Sequence, residues 1–288
     1  MFKGAYTALV TPFNQDESID YGRLAALVET QVQAGIAGLV PVGSTGESST
    51  LTMAEHIRVI EETVKAARGR VPVIAGTGAN STAEAIELTR HARDVGAHAT
   101  LQVTPYYNKP NQEGLIRHFS AVAELGLPVI LYNIPGRTGR EIALDTVAKL
   151  GEHPRIVAIK EAGQSVDRVS AIVRRSRMTV LSGDDSLTLP MMAVGATGVI
   201  SVVTNLIPAP VVEMCRLALA GDFLKAREIH LKHYRLFCDL FVDTNPIPIK
   251  AAMAMRGMLQ EVYRLPLCPL SPAHRETVRL AMQELGLP

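Results

Sequence analysis

Short apolar runs bounded by turn residues recur eight times along the chain. They are AYTALVTP, GLVPVG, VPVIAG, ATLQVTP, PVILYN, IVAIK, TVLSG and GVISVV. Amphipathic stretches of helical period lie between most of them, among others at 21–33, 53–67, 81–95, 112–124 and 167–175. Strands that are apolar along their whole length are typical of a parallel sheet covered by helices on both faces.

This alternation predicts an α/β protein with a closed (β/α)8 fold, a TIM barrel. Eight strand and helix units over about 220 residues fit a barrel, whose typical length is about 250 residues. A doubly wound open sheet is the alternative fold. After Gly221 the strand signal stops, and helices are predicted at 223–240, 247–258 and 272–285. We therefore predict a barrel domain over 1–222 and a C-terminal helical region over 223–288, without a flexible linker.

Composition and charge exclude several classes of protein. The chain has 288 residues, is 47% hydrophobic and carries a formal net charge of +1, without a basic stripe for nucleic acid. Cys215, Cys238 and Cys268 form no CxxC pair, so we expect reduced thiols and no disulfide framework. The uncharged segment 186–212 is long enough to span a bilayer, but Pro and Gly interrupt it and we predict no membrane span. The first residues do not resemble a secretory signal, so we expect a cytoplasmic protein.

Residues whose side chains could take part in catalysis or ligand binding lie at the predicted strand ends, where barrel enzymes have their active sites. VGSTGE follows the second strand, TPYYN the fourth, YNIPGRTG the fifth and SGDD the seventh, while Lys160 ends the sixth. A lysine is almost never fully buried without a partner, because the loss of ammonium hydration is unfavourable. One interpretation is that Lys160 only extends its amine from the strand end to water.

The other interpretation is that Lys160 is a nucleophile. Strand alternation places Ile156, Ala158 and Lys160 on one face and Val157, Ile159 and Glu161 on the other. If the first face points into the barrel, apolar surroundings disfavour the ammonium and leave a neutral amine that can attack a carbonyl carbon. Together with the other strand-end motifs, this pattern favours a Schiff-base lysine.

Tyr132 and Ser44-Thr45 are the next candidates. Tyr132 ends the strand beside Lys160, so its phenol could move protons during imine formation. A phenol with an ordinary pKa of about 10 needs hydroxyl neighbours for this, and Thr45 and Tyr107 could relay the proton. In GSTGE, the glycines expose backbone amides and Ser44 adds a hydroxyl, which suits a carboxylate. Each feature alone is also compatible with strand packing or an ordinary turn.

Arg137 follows the fifth strand, where its guanidinium could bind a second carboxylate in bidentate fashion. The alternative for Arg137 is a solvated loop residue.

Three other motifs lack the residues that a cofactor or metal site would need. GTGANS lacks the third glycine of a dinucleotide loop. His230 and His233 share one helix face, and without further ligands we interpret them as a solvated face. Asp184 and Asp185 have no partner ligand in the pattern. We therefore expect no metal and no cofactor.

Taken together, the motifs TALVTPF, GSTGES, PVIAGTGAN, TPYYNKP, ILYNIPGRTG, IKEA, LSGDD and NPIPIK resemble the dihydrodipicolinate synthase family of class I aldolase-like lyases. The resemblance covers essentially the full length. It implies a (β/α)8 barrel with a helical C-terminal region, usually a homotetramer. It also implies condensation of pyruvate with L-aspartate-4-semialdehyde in the lysine and diaminopimelate pathway, without a cofactor.

The resemblance also implies roles for individual residues. Lys160 would be the Schiff-base lysine and Tyr132 the proton-transfer phenol. Thr45 and Tyr107 would complete the relay, with Tyr107 reaching the site of a neighbouring subunit. Ser44 would hold the pyruvate carboxylate together with Thr45.

Three further positions follow from the same resemblance. Arg137 would bind the carboxylate of the semialdehyde, and Gly183 and Ile200 would line the pocket with backbone groups. Ser44 departs from the two threonines that most synthases carry, and GSTGE is common in the sialic acid lyases of the same superfamily. N-acetylneuraminate lyase, or another sugar-acid aldolase, is therefore the alternative activity.

A feedback site for L-lysine is also implied. Its residues would be Ser48, Ser49, His56, Asn80, Glu84 and Tyr106, whereas Met53 stands where some lysine-sensitive members carry histidine. Two other classes remain open at this point. One is a non-catalytic barrel that binds a keto acid or lysine, and the other is a lysine enzyme dependent on pyridoxal phosphate.

Overall fold

Eight parallel strands form a closed barrel in the computed structural model, which describes residues 2–287. The strands are β1 (Gly4–Ala8), β2 (Gly38–Val40), β3 (Ile74–Gly76), β4 (Ala99–Val103), β5 (Val129–Asn133), β6 (Ile156–Glu161), β7 (Thr179–Ser182) and β8 (Gly198–Ser201). They pair in the order β2-β1-β8-β7-β6-β5-β4-β3. A bridge between Leu39 and Val73 joins β2 to β3 and closes the ring. The closed barrel is confirmed over the open sheet.

Helices follow every strand and then continue without further strands to the C-terminal end. They are α1 (Tyr21–Gln33), α2 (Met53–Ala67), α3 (Thr82–Asp94), α4 (Gln112–Ala123), α5 (Pro135–Thr138), α6 (Leu144–Leu150), α7 (Val166–Arg175), α8 (Thr188–Ala193), α9 (Pro208–Leu219), α10 (Phe223–Asp239), α11 (Ile247–Met255) and α12 (Pro272–Glu284). Helix α2 begins at a capping box in which Thr52 and Glu55 satisfy each other's backbone amides. Within residues 2–287, none of these helices has the length and apolar character needed to cross a membrane.

Two apolar cores result from strand alternation. Inward-pointing side chains fill the barrel lumen, among them Tyr6, Val40, Leu101, Ile130, Ala158 and Leu181. Outward-pointing side chains pack under the helices in a larger core. The lumen is therefore a packed interior, and space for a ligand is found above it, where the strands end.

The predicted faces of β6 are wrong at its first two residues, since Ile156 packs in the outer core and Val157 packs against the lumen core. Val129 pairs with Ile156, but the next residue, Ile130, pairs with Ala158, so Val157 is an extra residue opposite β5. This bulge turns Ile156 into the outer core, whereas Ala158 lies in the lumen. Alternation holds from Ala158 onward.

The interpretation of His230 and His233 as a solvated face is also wrong. Both histidines are only 8% exposed, because α10 packs against α9 and α12 on this side. Both rings lie near Phe237, and burial lowers the pKa of His230. The exposed side of α10 is charged but also carries two leucines, Leu224, which is 67% exposed, and Leu231, which is 63% exposed.

Candidate active site

A cavity of about 240 Å³ lies at the end of the barrel where the strands terminate. The loops after β2, β4 and β5 and the segment before α11 contribute its walls, including Ser44, Glu47, Tyr106, Tyr132, Arg137 and Asn245. The cavity therefore lies where this fold builds active sites. Its lining includes three of the residues predicted from the sequence, Ser44, Tyr132 and Arg137, which are far apart in the chain.

Lys160 and Tyr132 face each other across β6 and β5. They are register partners, and each is only 5% exposed. The Nζ atom of Lys160 lies 4.3 Å from the centroid of the Tyr132 ring. Tyr132 in turn lines the cavity. The Tyr132 side chain thus lies against the lysine amine and also borders the space that a ligand would fill.

A second buried lysine differs from Lys160 in its surroundings. The amine of Lys250 lies 2.5 Å from Glu47 Oε1, and both side chains are completely buried. Burial lowers the pKa of Lys250, and the Glu47 carboxylate acts against this shift. Among residues 2–287, no carboxylate lies within 4.0 Å of the Lys160 amine. Lys160 is therefore the buried lysine whose amine is not held in an ion pair.

Gly183 leaves room for Lys160. A Cβ atom at Gly183 would lie 2.9 Å from Lys160 Cε and 2.6 Å from the Ala162 side chain. Any larger residue would therefore displace the lysine side chain. Ile200, the other predicted backbone contributor, is fully buried in the lumen core.

The loop after β2 has a tightly constrained backbone. Val42 adopts a left-handed conformation, with φ of 56°, which is unfavourable for a β-branched residue. Its carbonyl packs against Gly76, where a Cβ atom would lie 2.3 Å from the oxygen. The constraint presents Ser44 to the cavity and buries Thr45 to 3% exposure.

Asn245 joins two predicted residues and was not singled out from the sequence. The side-chain amide of Asn245 donates to Thr45 Oγ1 at 3.0 Å. The backbone carbonyl oxygen of Asn245 accepts from the Arg137 guanidinium at 2.7 Å. Arg137 is exposed but is oriented by this bond. The Asn-Pro pair in NPIPIK is the signal that could have marked this position.

Tyr107 lies apart from the other relay candidates. Its side chain is 90% exposed, and its φ of 71° is left-handed. Within one chain it does not join Thr45 and Tyr132, which are buried.

Half of the candidate lysine set lines the same cavity. Ser48, Ser49 and Tyr106 share its wall with Ser44 and Arg137. His56, Asn80 and Glu84 are not among the residues that line it. Burial raises the pKa of Tyr106, and the charge of Glu84 raises it further.

His56 and Asn80 complete the placement of that set. His56 is 7% exposed and bonds through Nε2 to the Gly76 carbonyl oxygen at 2.7 Å. Burial lowers the pKa of His56, which therefore favours a neutral imidazole. The Asn80 carbonyl oxygen accepts from Asn108.

Two acidic residues follow β7 and bear on the electrostatics of Lys160. Burial raises the pKa of Asp184 to about 6, although the charge of Lys160 acts against the shift. Asp185 is buried and accepts hydrogen bonds from the backbone amides of Val202 and Val203. Residues 2–287 contain no cluster of three or more potential metal-binding His, Cys, Asp or Glu side chains.

The fold and this site define a (β/α)8-barrel enzyme whose mouth contains a buried lysine against a tyrosine. Residues 1–285 match the dihydrodipicolinate synthetase family. A 4-hydroxy-tetrahydrodipicolinate synthase of Aquifex aeolicus is 52% identical over 100% of this chain and 99% of its own. The chain belongs to the dihydrodipicolinate synthetase family and is a lyase, which confirms the resemblance found in the sequence.

Solved structures give the same assignment. A dihydrodipicolinate synthase of Acinetobacter baumannii complexed with pyruvate is 46% identical, with a TM-score of 0.98 and 100% coverage of both chains. The enzyme of Cyanidioschyzon merolae with lysine bound is 40% identical, with a TM-score of 0.96 over 100% of this chain and 99% of that one.

We expect Gly183→Ala to lower kcat by about 10- to 100-fold, because the added methyl group displaces the Lys160 side chain from Tyr132. Steady-state kinetics with the family's substrates measure the effect. Gly22→Ala is the matched control, because a Cβ atom there meets nothing closer than 3.5 Å. An unchanged kcat in a folded Gly183→Ala protein would contradict the prediction.

Proposed function

We propose that the enzyme condenses pyruvate with L-aspartate-4-semialdehyde to give 4-hydroxy-tetrahydrodipicolinate, an early step towards diaminopimelate and lysine. The observation that carries this proposal is the buried Lys160 amine, without an ion-pair partner, over the Tyr132 ring beside the cavity. The names of the relatives support the same choice of substrates. We place the reaction in the cytoplasm, where both substrates are metabolic intermediates.

In this proposal the Lys160 amine attacks the keto carbon of pyruvate, and the oxygen leaves as water to form an imine. Loss of a proton from the pyruvate methyl group gives an enamine, whose carbon attacks the aldehyde of the second substrate. Tyr132, with Thr45 as its hydroxyl neighbour, carries the protons. The amine of the second substrate then displaces Lys160 and closes the ring.

Each substrate carries a carboxylate that needs a partner. In this proposal Ser44 and Thr45 supply hydroxyls and backbone amides for the pyruvate carboxylate. The Gly183 backbone, which closely approaches the Lys160 side chain, would line the pocket beside the imine. Ile200 contributes lumen wall below it. Arg137, held by the Asn245 carbonyl, binds the carboxylate of the semialdehyde as a guanidinium fork.

Borohydride reduction in the presence of pyruvate should add a stable mass to the peptide that contains Lys160. Lys160→Arg should abolish the adduct because a guanidinium does not form the imine, whereas the exposed Lys149→Arg serves as the matched control. Peptide mass spectrometry gives the position of the adduct. An adduct elsewhere, or none, would refute the imine mechanism.

The second substrate is tested separately. We expect kcat/KM with pyruvate and aspartate semialdehyde to exceed that with pyruvate and N-acetylmannosamine. Preference for the sugar would assign the chain to the sugar-acid aldolases, for which the Ser44 hydroxyl in GSTGE is the supporting feature. Binding without turnover of either pair would indicate a sensor.

We further propose a homotetramer in which Tyr107 completes the site of a neighbouring subunit. The 90% exposure of Tyr107 supports this, because a large aromatic side chain in water is unfavourable unless a partner covers it. Leu224, Leu231 and Tyr234, which are exposed on α10 among charged residues, are candidates for a second subunit contact. Residues 1–222 form the catalytic barrel and 223–288 the helical region in this proposal.

Mixing of inactive variants tests the shared site. Neither Lys160→Arg nor Tyr107→Phe should be active alone, but subunit exchange between them should restore activity, because one site then has Lys160 from one protomer and Tyr107 from its partner. Mixed Lys160→Arg with Lys160→Ala is the control and should stay inactive. Absence of recovery in proven hybrids would place Tyr107 in its own chain's site or outside catalysis.

L-lysine is proposed as a feedback inhibitor that binds Ser48, Ser49, His56, Asn80, Glu84 and Tyr106. Millimolar L-lysine should lower the initial rate, and Glu84→Gln should raise the concentration needed, because it removes the carboxylate that would pair with an ammonium. Glu87→Gln on the same helix is the matched control. An initial rate that L-lysine leaves unchanged would end this proposal.

A further inference from the structure

A buried polar cluster lies on the outer side of the barrel wall, directly behind Lys160 and Tyr132. It consists of Asn133, Glu161 and Arg168. Asn133 follows Tyr132 in β5, Glu161 follows Lys160 in β6, and the two are register partners, as Tyr132 and Lys160 are. Because successive strand residues point to opposite faces, the inner and outer pairs lie at neighbouring levels of the same two strands.

Glu161 is the centre of this cluster. Its carboxylate accepts from Asn133 Nδ2 at 2.8 and 3.1 Å, from the Gly163 amide at 2.9 Å and from Arg168 Nε at 3.0 Å. The Glu161 side chain is completely buried, and that of Arg168 is 10% exposed. Burial raises the pKa of Glu161, whereas the charge of Arg168 opposes the shift.

The same cluster also holds the segment that contains Arg137. The Ile142 amide donates to Asn133 Oδ1 at 3.0 Å, and the Ile142 carbonyl oxygen accepts from Arg168. The chain leaves β5 at Asn133, forms the Arg137 turn and returns at Ile142. One end of the segment 134–142 is therefore fixed by strand β5. The other end, at Ile142, is held by the side chains of Asn133 and Arg168.

These bonds begin where the backbone ladder ends. The Ala162 amide donates to the Asn133 carbonyl oxygen at 2.9 Å, and beyond this bond β5 and β6 separate into loops. A buried ion pair contributes little net stability compared with an apolar pair of the same size, but it defines a geometry. If β5 moved relative to β6 at Asn133 and Glu161, the distance between the Lys160 amine and the Tyr132 ring would change.

We propose that Glu161, fixed by Asn133 and Arg168, is a positioning residue for the catalytic action of Lys160 and Tyr132. The inference rests on the proposed imine chemistry and adds a residue on the outer side of the barrel wall that controls it. Misplacement of reacting groups by about 1 Å can lower a rate by about 100-fold. The cluster prevents such a displacement at the strand ends.

Glu161→Gln tests the proposal with a side chain of the same shape. Its amide places a donor against the Gly163 amide or Arg168 and removes the buried charge partner of the guanidinium, which keeps only the half-exposed Glu141. We expect kcat to fall by about 10- to 100-fold, with little change in KM for pyruvate, and the rate of borohydride-trapped imine formation to fall in parallel. Glu161→Asp, which keeps the charge, should restore part of kcat.

Val169→Ala separates positioning from stability. Val169 is the next residue on α7, is fully buried in the outer core and contributes no side-chain hydrogen bond to the cluster. It should lower the thermal midpoint but leave kcat unchanged. An unchanged kcat in folded Glu161→Gln, or an equal loss in Val169→Ala, would overturn the inference.

Two outcomes need separate interpretation. If Glu161→Gln does not fold, Asn133→Ser removes the cross-strand donor and is judged by the same criteria. If the wild-type enzyme traps no pyruvate at Lys160, the proposed function fails. If it does, and Glu161→Gln traps pyruvate at the same rate, only the positioning role fails.

Discussion

The burial of the Lys160 amine against the Tyr132 ring is the constraint on which the site depends. Removal of an ammonium group from water is unfavourable unless a carboxylate or a change of protonation compensates. Lys250 has Glu47 as its carboxylate partner, whereas the Lys160 amine lies over the Tyr132 ring and forms no ion pair among residues 2–287. The different role proposed for Lys160 follows from these surroundings.

Residues from several strand-end loops and from the C-terminal region fix the surroundings of Lys160 and Tyr132. Gly183 permits the lysine side chain to lie against the backbone, and the left-handed Val42 turns the loop that carries Ser44 and Thr45. Asn245, from beyond the barrel strands, joins Thr45 to Arg137. The C-terminal helical region is therefore coupled to the active site and does not form an independent appendage.

One cavity wall contains both the residues proposed for substrates and half of those proposed for L-lysine. An effector at Ser48, Ser49 and Tyr106 would lie beside the loop that carries Ser44, so a short path joins inhibition to catalysis. The inhibition would then require no long-range change of the barrel. A shift of the loop after β2 would be sufficient.

Hydrophobic periodicity determined the closed barrel, the positions of its strands to within a few residues and the location of the chemistry at the strand ends. Strong local patterns made this possible, because short fully apolar strands and longer amphipathic helices differ in the period of their hydrophobic residues. Strand alternation and the strand-end motifs singled out Lys160, Tyr132 and Arg137, and the motif resemblance assigned them particular substrates.

Only the tertiary structure decided which polar residues are buried together. The bulge that turns Ile156 outward, the buried side of α10 with His230 and the Asn133–Glu161 pair all depend on partners distant in the chain. Burial and pairing are properties of the packed molecule, and a local pattern cannot specify them when a polar residue is equally compatible with water.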